Sequence, residues 1–252
     1  MGRLVKGCAA LTAGLMLVAG IGGCGTVPPP ADANTAIAER VGNVAAVKTI
    51  WSDPERAWVR LVQAESGGGA YEQPVRVDRQ WLRQTLYDLK VREGDRDDAR
   101  PDARVFQPEQ LDLLVPALMR GLAEAGPQQA VAFAVAARRG GFAFFDPVRL
   151  TTARVFVIDG ELNVLFGRVA EPLSGDKVRQ ELERAPVGTR ERRFFRDKEL
   201  RSRSWGASWQ REDWLTVEIE SSDGPLPELP ASQGAAQAPA AAQGAEAGQR
   251  AA

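Results

Sequence analysis

Residues 152–170 read TARVFVIDGELNVLFGRVA and contain the strongest fold signal in the chain. Two runs rich in valine, phenylalanine and leucine lie on either side of Asp159-Gly160. An Asp-Gly pair in this setting is typical of a two-residue β-hairpin turn, because both turn residues need a positive φ. The sequence therefore predicts an antiparallel pair of strands over residues 152–158 and 161–170.

Further strands are predicted on both sides of this hairpin. A Ser-Asp-Pro turn at residues 52–54 separates two apolar runs, and a second hairpin is expected across residues 210–213. The apolar run AVAFAVA at residues 130–136 is a further candidate strand. These predicted strands span residues 44–51, 57–65, 130–136, 200–209 and 214–220.

Helical patterns alternate with the strands. Pro108 stands where a first helical turn tolerates proline, and leucines then recur at helical spacing, with Pro116 as an expected kink. Shorter helices are predicted over residues 34–43, 79–91 and 175–184. Together the elements predict a single α+β domain over residues 34–220, with a mainly antiparallel sheet and two to four helices.

Composition excludes several classes of function. The chain has 252 residues, a formal net charge of −1, no histidine and two cysteines, Cys8 and Cys24. Histidine-dependent triads, Cys/His nucleophile pairs and zinc sites built from His or Cys are therefore excluded. No global basic field exists to hold nucleic acid. We expect no cofactor, no metal site and no enzymatic activity.

The N-terminus has the order of a secretory signal. Arg3 and Lys6 precede an apolar stretch over residues 8–21, which is shorter than the roughly 20 residues that span a bilayer. The stretch ends in Ile21-Gly22-Gly23-Cys24. This tetrapeptide resembles the lipobox of bacterial lipoproteins, in which an aliphatic residue and two small residues precede an invariant cysteine.

The resemblance implies a lipid anchor. Residues 1–23 would be the signal peptide, and Cys24 would carry diacylglycerol on its sulfur after cleavage, often with an acylated amine. Gly25, where an aspartate would signal retention at the inner membrane, implies the outer membrane with the protein facing the periplasm. Several buried acyl chains would make the attachment durable.

Both ends of the mature chain are expected to lie outside the domain. Residues 24–33 contain three consecutive prolines and are predicted to form an extended tether. Residues 221–252 are rich in Ala, Gly, Gln and Pro. Such a composition buries too little apolar surface to offset ordering entropy, so a disordered tail is predicted there.

Two segments are candidate binding sites. Arg192, Arg193 and Arg196 lie in a basic run and could contact phosphates of phospholipid or lipopolysaccharide. Trp205 and Trp209 are four residues apart, so in a regular strand they would share a face and could stack on sugar rings. Each set also fits an ordinary structural role, as a solvated connector or as aromatic core.

The favoured interpretation is a non-enzymatic, lipid-anchored envelope protein whose periplasmic domain binds another envelope component in an assembly or scaffold role. Two alternatives stay open. One is a carbohydrate- or lipid-binding module for peptidoglycan or lipopolysaccharide. The other is a carboxylate-based hydrolase of cell-wall glycan, with Asp53, Asp146 and Asp159 as acids beside turn signals.

Overall fold

The computed structural model describes residues 45–67, 69–93, 102–138, 147–174, 177–195 and 198–232. These residues belong to one compact unit of the chain. Several sequence-based predictions lie outside the described residues, namely the signal peptide, Cys24, the tether, the helix over residues 34–43, Asp146 and Arg196.

The described residues form two antiparallel sheets. The main sheet has seven strands in the order β1-β2-β5-β6-β7-β10-β9, and the small sheet has three in the order β4-β3-β8. Neighbouring strands pair antiparallel throughout. The strands are β1 Ala46–Asp53, β2 Ala57–Gln63, β3 Lys90–Glu93, β4 Ala103–Arg104, β5 Gln129–Arg138, β6 Val148–Ile158, β7 Glu161–Leu173, β8 Lys198–Arg201, β9 Ser208–Arg211 and β10 Trp214–Glu218.

Three helices occur in the described part of the chain, α1 Arg79–Tyr87, α2 Pro108–Glu124 and α3 Val178–Glu183. Pro108 occupies the first turn of α2, and the Gln110 side chain accepts a hydrogen bond from the Gln107 amide there. α2 continues through the buried Pro116. The predicted α+β class with a mainly antiparallel sheet is confirmed.

The Asp-Gly hairpin is also confirmed. Asp159 and Gly160 have φ values of 53° and 71°, and Ile158 pairs with Glu161 across the turn. The hairpin places β6 and β7 side by side near the middle of the main sheet.

Both faces of the main sheet are covered. On one face, side chains such as Val131 and Phe133 pack with α1 and α2 in the larger core. On the other face, alanines of β5 and Trp58 pack with the chain around α3 in a smaller core. Trp58 anchors that layer, because its indole nitrogen donates a 2.8 Å hydrogen bond to the Leu182 carbonyl oxygen.

The helix predicted over residues 79–91 is shorter in the structure. α1 ends at Tyr87, with Asp88 as its C-cap. Residues 90–93 leave the helix and form β3, which pairs with β4 and β8. The buried apolar residues Leu89 and Val91 fit the periodicity of a helix and that of a strand. Pairing with β4 and β8 makes this segment a strand.

The C-terminal boundary differs from the sequence-based expectation. Residues 221–232, here called the C-terminal strap, follow β10 and pack on the domain. Ser221 forms a β-bridge with Val77, and Leu226 and Leu229 contact the larger core. The part of the predicted tail that the structure describes is therefore ordered against the domain.

Candidate functional site

A groove of about 800 Å³ lies between α1 and the ends of β9 and β10. α1 supplies Gln80, Trp81 and Gln84 to one wall. The other wall comes from the turn before β9 and from the residues that follow β10, including Trp205 and Ile219.

Asp78 joins the two walls. Its carboxylate caps α1 by accepting a 2.8 Å hydrogen bond from the Trp81 amide. Its own amide donates a 2.7 Å hydrogen bond to the Glu220 carbonyl oxygen. Such N-caps stabilise a helix by about 1 kcal/mol. The backbone hydrogen bond of Asp78 joins the start of α1 to the chain just after β10.

Trp205 stands at the exposed side of the groove, with 87% of its surface accessible. It lies in a turn over residues 204–206, where Gly206 has a φ of 72°. A residue with a side chain would be strained at that φ, so the glycine sets the turn that presents the indole. Val47 and Trp205 are the large apolar side chains classed as exposed among the described residues, and Trp205 is much the more exposed of the two.

The groove is acidic. Four of its side chains are carboxylates and one is an arginine: Asp78, Asp88, Glu218, Glu220 and Arg203. The amides of Gln80 and Gln84 add neutral hydrogen-bonding groups. This arrangement can hold cationic side chains by charge, and it can hold a sugar ring by indole stacking with polar contacts at its edge.

The structure separates the two predicted stacking residues. Trp209 is half-buried in β9 and packs against the larger core. Trp205 precedes that strand and lies in the turn. The two indoles therefore do not share a strand face, because the turn at Gly206 ends the extended backbone that the prediction assumed.

The predicted arginines are also divided. Arg193 pairs with Glu212, whereas Arg192 is exposed and its guanidinium lies 5.5 Å from the Phe194 ring centroid. Phe195 is buried in the larger core. Arg211 holds this part of the chain in place by donating to the carbonyl oxygens of Thr189 and Arg190.

Of the acids proposed for glycan hydrolysis, Asp53 and Asp159 do not line the groove, and Asp146 lies outside the described residues. Asp53 is buried and pairs with Arg56 beside the β1–β2 turn. Asp159 lies in the β6–β7 turn. The groove acids were not singled out from the sequence, although Asp78 and Asp88 flank α1, which carries Trp81 and two glutamines.

None of the helices in the described ranges combines the length and apolar character needed to cross a bilayer. Within the same ranges, no group of three or more acidic or cysteine side chains is placed to hold a metal ion. No protein family, curated protein or solved structure matches this chain.

Proposed function

We propose that this chain is a lipid-anchored, non-enzymatic protein of the bacterial envelope, held at the outer membrane and facing the periplasm. Its domain would bind another envelope protein in the groove, in an assembly or scaffold role. The observation that carries the binding proposal is the indole of Trp205, which is almost fully exposed beside a groove. The anchor rests on the lipobox at residues 21–24.

Charge favours a basic segment of a partner protein. The carboxylates of Asp88, Glu218 and Glu220 outnumber the one arginine of the groove. They would attract Lys and Arg side chains and repel the phosphates of lipopolysaccharide. Burying Trp205 against such a segment would supply the apolar contact, since tryptophan is enriched at the centres of interfaces.

A glycan is the second candidate, because the groove combines an exposed indole with carboxylate and amide groups. Peptidoglycan would be the matching envelope polysaccharide. The two candidates respond differently to salt. A basic protein segment would be released as ionic strength rises, whereas stacking of a neutral sugar would change little.

Site-specific photocrosslinking in intact envelopes tests the proposal. Benzoylphenylalanine would replace Trp205 in the full chain, and in a control it would replace Glu55, which is exposed in the β1–β2 turn. We expect a discrete crosslinked protein from position 205 and none from position 55. Crosslinks to glycan would favour the second candidate, and no crosslink at 205 would contradict groove binding.

Variants measure the contribution of each group once the partner is captured. Trp205→Ala should weaken binding at least about tenfold, as expected for a central aromatic contact. Paired Glu218→Gln and Glu220→Gln changes should reduce the salt dependence of association. Glu55→Gln is the matched control and should leave both quantities unchanged.

A further inference from the structure

A cluster of polar side chains is enclosed on the α3 side of the main sheet. It consists of Glu65, Tyr71, Arg154 and Arg190 and is called here the buried arginine cluster. Arg154 lies on β6, the central strand of the sheet, and only 1% of its surface is exposed. A guanidinium so deep in a fold stays charged and needs acceptors for its five N–H groups.

Arg154 lacks those acceptors within the described residues. Its nearest carboxylate oxygen, Oε1 of Glu65, lies 3.7 Å from Nη1, which is close enough for an ion pair and too long for a hydrogen bond. None of its three guanidinium nitrogens has a hydrogen-bond partner there. The ion pair with Glu65 offsets part of the cost of burying this charge, but the guanidinium N–H groups still lack acceptors.

Arg190 contributes the second guanidinium of the buried arginine cluster. Its Cζ lies 4.7 Å from the ring centroid of Phe156 and 5.2 Å from that of Tyr71. Its Nε and Nη2 are buried, with no acceptor among the described residues. Glu65 contacts Arg190 through the backbone instead, because both of its oxygens accept the Arg190 amide at 3.0 Å.

Tyr71 contributes a third kind of donor. Its ring stacks on Phe156 with centroids 4.5 Å apart, and its hydroxyl is buried with no partner in the described chain. Burial, and to a smaller extent the charge of Glu65, raises the pKa of Tyr71, while the charges of Arg190 and Arg154 and the backbone of Glu65 lower it. The phenol therefore keeps its proton at neutral pH and can donate it in a hydrogen bond.

We propose that the buried arginine cluster is a binding site for a single carboxylate group. The cluster holds two guanidiniums and one carboxylate, so one positive charge is left to be neutralised, which a monoanion does and a phosphate dianion exceeds. Guanidinium forks match the two oxygens of a carboxylate. Glu65 and Arg190 are the half-buried members of the cluster, so a ligand would reach it from their side.

The carboxylate could belong to a small acid or to the C-terminus of a peptide. This site is separate from the groove and does not depend on the proposed function. Calorimetric titration of the full-length protein in detergent would compare acetate, N-acetyl-Ala-Ala, its C-terminal amide and inorganic phosphate. We expect saturable binding of acetate or of the peptide acid, and at least tenfold weaker binding of the amide. If acetate binds more tightly, the ligand is a small acid; if the peptide acid binds more tightly, the ligand is a peptide C-terminus.

Two variants make the test specific without altering Arg154, whose loss could unfold the sheet. Arg190→Gln removes one guanidinium and should weaken carboxylate binding at least tenfold. Glu65→Gln still accepts the Arg190 amide but removes the competing charge, so it should strengthen binding. Arg83→Gln, at an exposed pair with Asp112, is the control and should change nothing.

Four results would overturn the proposal. One is the absence of saturable binding of either acid, and another is equal binding of the peptide acid and its amide. The third is tighter binding of phosphate than of any carboxylate. Unchanged affinity in both Arg190→Gln and Glu65→Gln would likewise show that carboxylates bind elsewhere.

Discussion

The indole nitrogen of Trp51 donates a 2.8 Å hydrogen bond to the carbonyl oxygen of Pro230. Trp51 lies on β1, one edge strand of the main sheet, whereas the strap that carries Pro230 begins after β10, beside the other edge strand. The strap therefore connects distant strands of the sheet. Between these two ends, Leu226 and Leu229 of the strap pack against the larger core.

Removing the strap should destabilise the domain. Truncation after residue 220 loses the Trp51 hydrogen bond, worth about 1 kcal/mol, and the partial burial of Leu226 and Leu229, together worth about 2–3 kcal/mol. Truncation after residue 232 keeps these contacts and is the control. Urea unfolding would measure both chains, and equal free energies of unfolding would show that the strap does not stabilise the fold.

Arg211 is predicted to matter far more for stability than its neighbour Arg193. Arg211 pairs with Asp213, whose side chain is fully buried, and it also binds the Thr189 and Arg190 carbonyl oxygens. Arg211→Met would leave a buried carboxylate unpaired and should cost about 3–5 kcal/mol. Arg193→Met breaks only the partly exposed pair with Glu212 and should cost at most about 1 kcal/mol. Similar losses in chemical denaturation would refute this distinction.

Gly188 is predicted to tolerate no side chain. A Cβ at this position would overlap the backbone carbonyl group of Leu165, so the chain after α3 lies directly on β7 only because the residue is glycine. Gly188→Ala should cost more than about 2 kcal/mol through strain. Gly69→Ala, where a Cβ meets open space, is the control. A thermal melt in which both variants match wild type would contradict the close approach.

Tyr71 should make stability fall at alkaline pH. Its pKa is raised by burial above the value of about 10 that it has in the unfolded chain. Above pH 10 the unfolded chain loses a proton that the folded chain keeps, so this contribution is complete below pH 10 and disappears as pH rises through the raised pKa. Tyr71→Phe should flatten the decline in unfolding free energy from pH 9 upward.

The same variant has a second readout at neutral pH. Because the Tyr71 hydroxyl is buried and has no partner among the described residues, Tyr71→Phe should be at least as stable as wild type in the absence of carboxylates. A clear loss of stability would show that the hydroxyl is already satisfied. An alkaline decline as steep as that of wild type would show that the titration of Tyr71 does not cause it.

Local patterns predicted the main elements well. Asp159-Gly160 specifies its turn through φ values that few other pairs adopt, and Pro108 marks a helix start for a similarly local reason. Tertiary pairing decided the cases where local signals were ambiguous. Residues 90–93 joined a sheet with β8, which lies about 100 residues further along the chain.

The candidate sites were harder to predict because they depend on distant segments. Trp205 faces α1 only after the sheet has formed, and the turn at Gly206 separates it from Trp209. Arg154 could be noticed in the sequence only as a charged residue between apolar residues, in a strand whose two faces are both buried in the structure. Its relationship to Arg190 could not be read from one strand, because Arg190 comes from the chain after α3.

The proposed place of action depends on Cys24. Intact-mass and peptide mass spectrometry of the protein from membranes of a bacterial host would identify its mature N-terminus. The account predicts a chain that begins at Cys24 and carries diacylglycerol on its sulfur, and a Cys24→Ser chain that is released from the membrane. An unmodified Cys24, or a chain cut at another residue, would contradict the proposal that this domain works as a lipid-anchored protein of the envelope.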